Sequence, residues 1–168
     1  IPSFGKSYIQ TESQMREVAK CLQYACDLAA EYGIQVATEN PLSAEGNLEL
    51  LQYVGRKNLK IYLDTQNPYL RSGCDVPEMI RILGDKICEV HVKDGADGEL
   101  SAALLGRGAT SYFRSVEALC EIGYTGFVHL ENYYDRQPMN HCDQDAVELL
   151  KEDIAILKQS FMKYNGEQ

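Results

Sequence analysis

The sequence predicts an α/β fold on a parallel sheet, and three observations carry the prediction. Helix-like stretches alternate with short strand-like runs, a glycine separates each of the first four helices from the strand after it, and no two runs lie close enough for a hairpin. The runs are Ile34–Glu39, Leu59–Asp64, Ile87–Val92 and Phe127–Glu131, and the glycines are Gly33, Gly55, Gly84 and Gly123.

The first helix has Thr11 as N-cap with Gln14 at the capping-box position. Met15, Val18, Ala19, Leu22, Ala25, Cys26 and Ala29 follow at three- to four-residue spacing. Asn47 is the expected cap of a second helix, Leu48 to Val54. Asp75 with Glu78 reads as another capping box, with Pro77 in the first turn. Ser111 begins a fourth helix carrying Phe113, Val116, Leu119, Cys120 and Ile122. A fifth runs from about Asp145 to Phe161, with Val147, Leu150, Ile154, Leu157 and Phe161 as its stripe.

Read with period two, the strands present two unlike faces. One carries Ile34, Val36, Leu59, Ile61, Leu63, Cys88, Val90, Val92, Val128 and Leu130. The other carries Gln35, Ala37 and Glu39, then Lys60, Tyr62 and Asp64, then Glu89 and His91, then Phe127, His129 and Glu131. An open sheet covered on both sides has strands that are apolar on both faces. A persistently polar face suits a closed barrel with helices outside only and reactive groups at the C-terminal strand ends. A (β/α)8 TIM barrel needs eight strands and about 250 residues. Four strands, and a chain opening on Ile1-Pro2, point to a single domain over residues 1–168 that is the C-terminal half of such a barrel.

The chain has 168 residues, is 45% hydrophobic and carries a net charge of −9. It is therefore neither collagenous nor largely disordered, and its acidity disfavours a nucleic-acid backbone as partner. No apolar stretch is long enough to span a membrane, and no signal-peptide pattern opens the chain. Cys21, Cys26, Cys74, Cys88, Cys120 and Cys142 include no C-x-x-C pair, so a structural zinc site is not expected. Reduced thiols packed as small hydrophobes, in a cytoplasmic protein, are the expectation.

Glu39, Asp64, His91 and Glu131 each end a strand on the polar face. One such residue alone commonly caps the next helix. Four in succession converge on one point in a barrel. Three carboxylates and one imidazole form a hard, oxygen-rich site suited to Mn²⁺, Mg²⁺ or Co²⁺, and able to hold Zn²⁺.

The segments Val36-Ala37-Thr38-Glu39-Asn40, Ile61 to Asn67, Val90-His91-Val92-Lys93-Asp94-Gly95, Leu105-Gly106-Arg107-Gly108, Gly123-Tyr124-Thr125-Gly126 and Leu130-Glu131 together resemble the xylose-isomerase-like TIM barrels, which include sugar and sugar-phosphate isomerases and epimerases. The resemblance spans strand five to helix eight. It implies that Glu39, Asp64, His91 and Glu131 bind one divalent ion, Mn²⁺ favoured, and that Glu39 and Glu131 also transfer protons. Asn67 stands where many ketose epimerases have His, and Arg107 where relatives often carry Glu. Only His91, His129 and His141 are present, too few for the three-metal cluster of the related endonucleases.

Other residues carry alternative readings. Lys93 reaches a substrate oxyanion or pairs with Asp94. Asn67 binds a sugar hydroxyl or opens the turn before Pro68. His129 orients a ligand or is a hydrogen-bonded interior histidine. Tyr133 and Tyr134 wall a pocket or pack a loop. His141 is expected to be solvated, and the acidic run from Asp143 to Asp153 to be an exposed helix face. The function expected is a metal-dependent isomerase or epimerase of a sugar or sugar phosphate, working by proton transfer through an enediolate. Alternatives are metal-dependent dehydration of a keto-inositol and a non-catalytic sugar-binding half-barrel. The partner is a small molecule, with neither nucleic acid nor membrane involved, and a homo-oligomer is allowed.

Overall fold

A computed structural model describes residues 1–95, 98–135, 137, 139–140 and 144–165. Its elements run α1 (Glu12–Ala30), β1 (Val36–Thr38), α2 (Ala44–Val54), β2 (Leu59–Asp64), α3 (Asn67–Ser72), α4 (Val76–Leu83), β3 (Ile87–Val92), α5 (Tyr112–Glu121), β4 (Phe127–Leu130) and α6 (Ala146–Asn165). The four strands form one sheet in the order β1-β2-β3-β4, every pair parallel. Strand order equals chain order, as consecutive βα units of a barrel require.

The apolar face meets the helices. Ile61, Leu63, Val90 and Val92 are buried with Val76, Ile80 and Leu83 of α4 and Val116 and Leu119 of α5. A second cluster joins Met15, Leu22 and Cys26 of α1 to Leu50, Val54 and Leu59. On the opposite face Phe127 is 75% exposed.

The helix starts separate local signals from tertiary ones. Thr11 forms the full capping box with Gln14, and the Asp75 side chain accepts from the Glu78 N–H. The second helix starts earlier than expected: its cap is Ser43, which accepts from the Gly46 N–H. Asn47 is instead buried inside the helix, its Oδ1 accepting from Asn40 Nδ2 at 3.0 Å. Ser111 makes no side-chain cap.

Several burial expectations are corrected. Ile34 is 55% exposed because it still belongs to the turn closing α1, its N–H bonding to the Ala29 carbonyl. Cys21 is exposed, whereas Cys26 is buried and Cys74, Cys88 and Cys120 are half-buried; all five thiols are free. Cys142 lies outside the described residues, as do His141 and Asp143. On α6 the buried positions are Leu149, Asp153 and Ser160, while Val147 is 54% exposed. Asp153 is thus no part of an exposed acidic face. Its carboxylate accepts from the Leu105 N–H, Asn132 Nδ2 and the Tyr134 hydroxyl, which compensates its burial.

Candidate metal centre

Strand register brings the four strand-end residues together. Between Ile61 and Tyr62 the β2–β3 pairing shifts by one residue, so Ile61 faces Ile87 but Tyr62 faces Glu89. Downstream of this bulge Asp64 lies opposite His91, and the apolar residues Leu63 and Val90 stay on the same side. The Glu131 N–H continues the β4 ladder onto the Val92 carbonyl at 3.0 Å. At the other edge, Glu39 is held by residues 1–3: its N–H donates to the Ile1 carbonyl and its carbonyl accepts from the Ser3 N–H.

Glu39, Asp64, His91 and Glu131 each offer a ligand atom, and these atoms all lie within 4.8 Å of one another. His91 Nδ1 is 3.1 Å from Glu39 Oε1 and 3.3 Å from Glu131 Oε2. Burial alone would lower the His91 pKa. The bond to Glu39 and the charges of Glu131, Glu39 and Asp64 outweigh burial and raise it. The Tyr62 ring packs on His91 with centroids 4.2 Å apart, and burial pushes its hydroxyl up to about 12.

Asp64 is the deepest of the four, with its side chain fully buried. Its Oδ1 accepts the backbone N–H groups of Gln66 and Asn67 at 2.7 and 2.6 Å, which starts α3 directly behind the site. Its Oδ2 is buried and lies 2.8 Å from the Lys93 ammonium, which sits 2.5 Å from Glu131 Oε2. Burial disfavours the Lys93 charge, but Asp64 and Glu131 outweigh it and hold the ammonium protonated beyond the usual lysine range. Lys93 therefore pairs with Asp64 and Glu131, not with Asp94 as one sequence reading had it. A convergent, partly buried set of three carboxylates and one imidazole fits a divalent ion.

A polar residue one to three positions past each strand-end residue organises the surrounding loops, and sequence reasoning missed this layer. Buried Asp94 accepts from the N–H groups of Gly95, Gly106, Gly108 and Thr110 and from the Thr110 hydroxyl. Asn132 takes the Asp94 N–H and the Ser101 hydroxyl on its Oδ1 and donates to the Ala103 carbonyl and Asp153. Gln66 clasps the Glu99 carbonyl and the Ser101 N–H. The signal available in the sequence was a polar residue repeated just past every strand end: Asn40, Gln66, Asp94 and Asn132.

Asp94→Ala leaves four backbone N–H groups and a hydroxyl without their acceptor. At about 1–3 kcal/mol per buried unpaired donor, a total loss of at least about 3 kcal/mol is expected, read from the denaturant midpoint. A Cβ at Gly108 would stand 2.2 Å from Asp94 Oδ1. Gly108→Ala is therefore expected to disturb the same carboxylate.

The remaining candidates separate cleanly. His129 Nε2 bonds to Glu89 Oε2 at 2.7 Å and contacts no strand-end carboxylate. Tyr134 packs with Leu104, Met139 and Leu149, so it packs a loop. Arg107 pairs with Glu152.

A family model described as "Xylose isomerase-like TIM barrel" matches residues 2–160. Among curated proteins, 2-epi-5-epi-valiolone 7-phosphate 2-epimerase from an Actinoplanes species is 32% identical over 71% of this chain and 44% of its own length. An uncharacterized protein from Methanocaldococcus jannaschii is 26% identical over 79% of the chain and 47% of its own. The chain spans about half the length of the curated relatives it matches. A solved structure of a D-tagatose 3-epimerase-like protein aligns with TM-score 0.71 and 26% identity, covering 92% of this chain and 57% of that one. An L-ribulose 3-epimerase aligns with TM-score 0.77 and 21% identity, over 94% and 57%.

Proposed function

We propose, for a chain that belongs to the xylose isomerase-like TIM barrel family, a divalent-metal-dependent isomerase or epimerase of a sugar or sugar phosphate. The observation that carries the reading is the convergence of Glu39, Asp64, His91 and Glu131 within 4.8 Å. The chain's similarity to the Actinoplanes 2-epi-5-epi-valiolone 7-phosphate 2-epimerase and to the D-tagatose 3-epimerase-like protein supports it.

Glu39, Asp64, His91 and Glu131 would hold the ion; the hard donor set suits Mn²⁺, Mg²⁺ or Co²⁺, and the family resemblance favours Mn²⁺. When bound, a divalent ion supplies Lewis-acid polarisation of a substrate carbonyl, which eases removal of a proton from the adjacent carbon. The protein's own groups divide the remaining work by exposure. The Asp64 side chain is buried, while Glu39 and Glu131 are 14% and 35% exposed and reach the open side. One of these two glutamates enters as carboxylate and takes the carbon-bound proton. The other enters as carboxylic acid and returns a proton, so the pair exchanges protonation states at each turnover. Return to the same carbon from the opposite side gives an epimer, and return to the neighbouring carbon gives an isomer. Asn67, at the start of α3, keeps its proposed contact with a substrate hydroxyl.

The test is solvent exchange. The whole protein, loaded with Mn²⁺, is incubated in D2O with ketoses and ketose phosphates. Deuterium is expected at the carbon beside the carbonyl, and a chelator is expected to abolish its uptake. Loss of water from the product would favour the dehydratase. Sugar binding with no exchange would favour the non-catalytic module.

A further inference from the structure

We propose that Lys93 is a resident cation of the centre, holding Asp64 and Glu131 when no metal is bound and weakening the site for a divalent ion. The inference rests on the metal-centre reading above.

The Lys93 side chain is 2% exposed, and its ammonium lies 2.8 Å from Asp64 Oδ2 and 2.5 Å from Glu131 Oε2. Because Asp64 Oδ1 is occupied by two backbone N–H groups, Oδ2 is the oxygen that Asp64 has left for any cation. The lysine therefore uses the carboxylate valence that an ion would use. Its backbone is clamped as well. The Thr65 hydroxyl donates to the Lys93 carbonyl at 3.0 Å and accepts its N–H at 3.1 Å.

Charge counting gives the consequence. Before substrate binds, with both glutamates ionised and the imidazole neutral as a ligand must be, the four residues carry −3, and the ammonium reduces this to −2. A dication thus completes a neutral site when Lys93 is present, and faces one more unit of negative charge when it is absent. A unit positive charge within about 5 Å of a dication costs roughly tenfold in affinity even at the dielectric constant of water. Without Lys93 and without an ion, the buried Asp64 carboxylate loses the ammonium that lies 2.8 Å from it. The lysine thus makes the empty site stable and the bound ion exchangeable.

Lys93→Gln and Lys93→Met test this, with MnCl2 as probe and free Mn²⁺ counted by electron paramagnetic resonance. Both variants are expected to bind Mn²⁺ at least about tenfold more tightly than the unaltered chain. Both should melt at lower temperature than the unaltered chain without Mn²⁺ and gain more on its addition. If a variant is unfolded without metal, Mn²⁺-dependent refolding followed by circular dichroism reads the same affinity. Equal or weaker binding in both variants, or no refolding at saturating Mn²⁺, overturns the role of Lys93 and leaves the metal centre standing. Failure of the unaltered chain to bind Mn²⁺ overturns the metal centre itself, and the inference with it.

Discussion

Glu131→Gln is expected to lower turnover by about 10²–10⁴-fold, the usual loss when a positioned proton-transfer group is removed. The amide keeps the shape of the side chain and one oxygen, so the 2.5 Å contact to Lys93 can be retained. It cannot accept a proton near neutral pH. Glu39→Gln is expected to lose activity to a similar degree, because in the proposed mechanism the two carboxylates alternate as base and acid. They should differ in exchange. A variant lacking the base for one epimer still exchanges the reacting carbon's proton when given the other epimer. Mass spectrometry of the recovered sugar in D2O, with Mn²⁺ content checked, reads the result. Near-unaltered incorporation from both epimers in both variants would contradict a two-carboxylate mechanism.

Asp64→Asn is expected to strip the ion while leaving the loop behind it in place. The amide Oδ1 still accepts from the Gln66 and Asn67 N–H groups. The second oxygen is replaced by an NH2 group, which turns a donor toward the Lys93 ammonium and the ion. Because changing only a partner of a metal ligand commonly costs 10–100-fold, loss of a ligand should cost at least about 100-fold in Mn²⁺ affinity. His91→Ala should do the same, since it removes the site's nitrogen ligand. Metal analysis of the purified protein after dialysis checks both, and full stoichiometric Mn²⁺ in both variants would sink the four-ligand assignment.

The alternation of helix, glycine and strand was legible because it is local: Thr11 and Gln14, or Asp75 and Glu78, meet within one turn. The polar strand face was legible for the same reason, since period two needs only neighbouring residues. What escaped depends on distant partners. Asn47 looks like a cap in sequence but is buried by Asn40, and Asp153 looks solvated but is held by Leu105, Asn132 and Tyr134. Lys93 has an acidic neighbour in Asp94, yet that carboxylate is saturated by loop N–H groups, and the lysine turns to Asp64 and Glu131. The short helix α3 was hidden because Asn67-Pro68 also reads as a turn. Its start is fixed by the Asp64 carboxylate.

The central claim is that the four strand-end residues hold one divalent ion. Crystals of the protein grown with saturating MnCl2, measured at the manganese absorption edge, test it most directly. The expected result is a single anomalous peak bounded by Glu39, Asp64, His91 and Glu131, with Lys93 beside it. A peak elsewhere, or none while Lys93 still bridges Asp64 and Glu131, would contradict it.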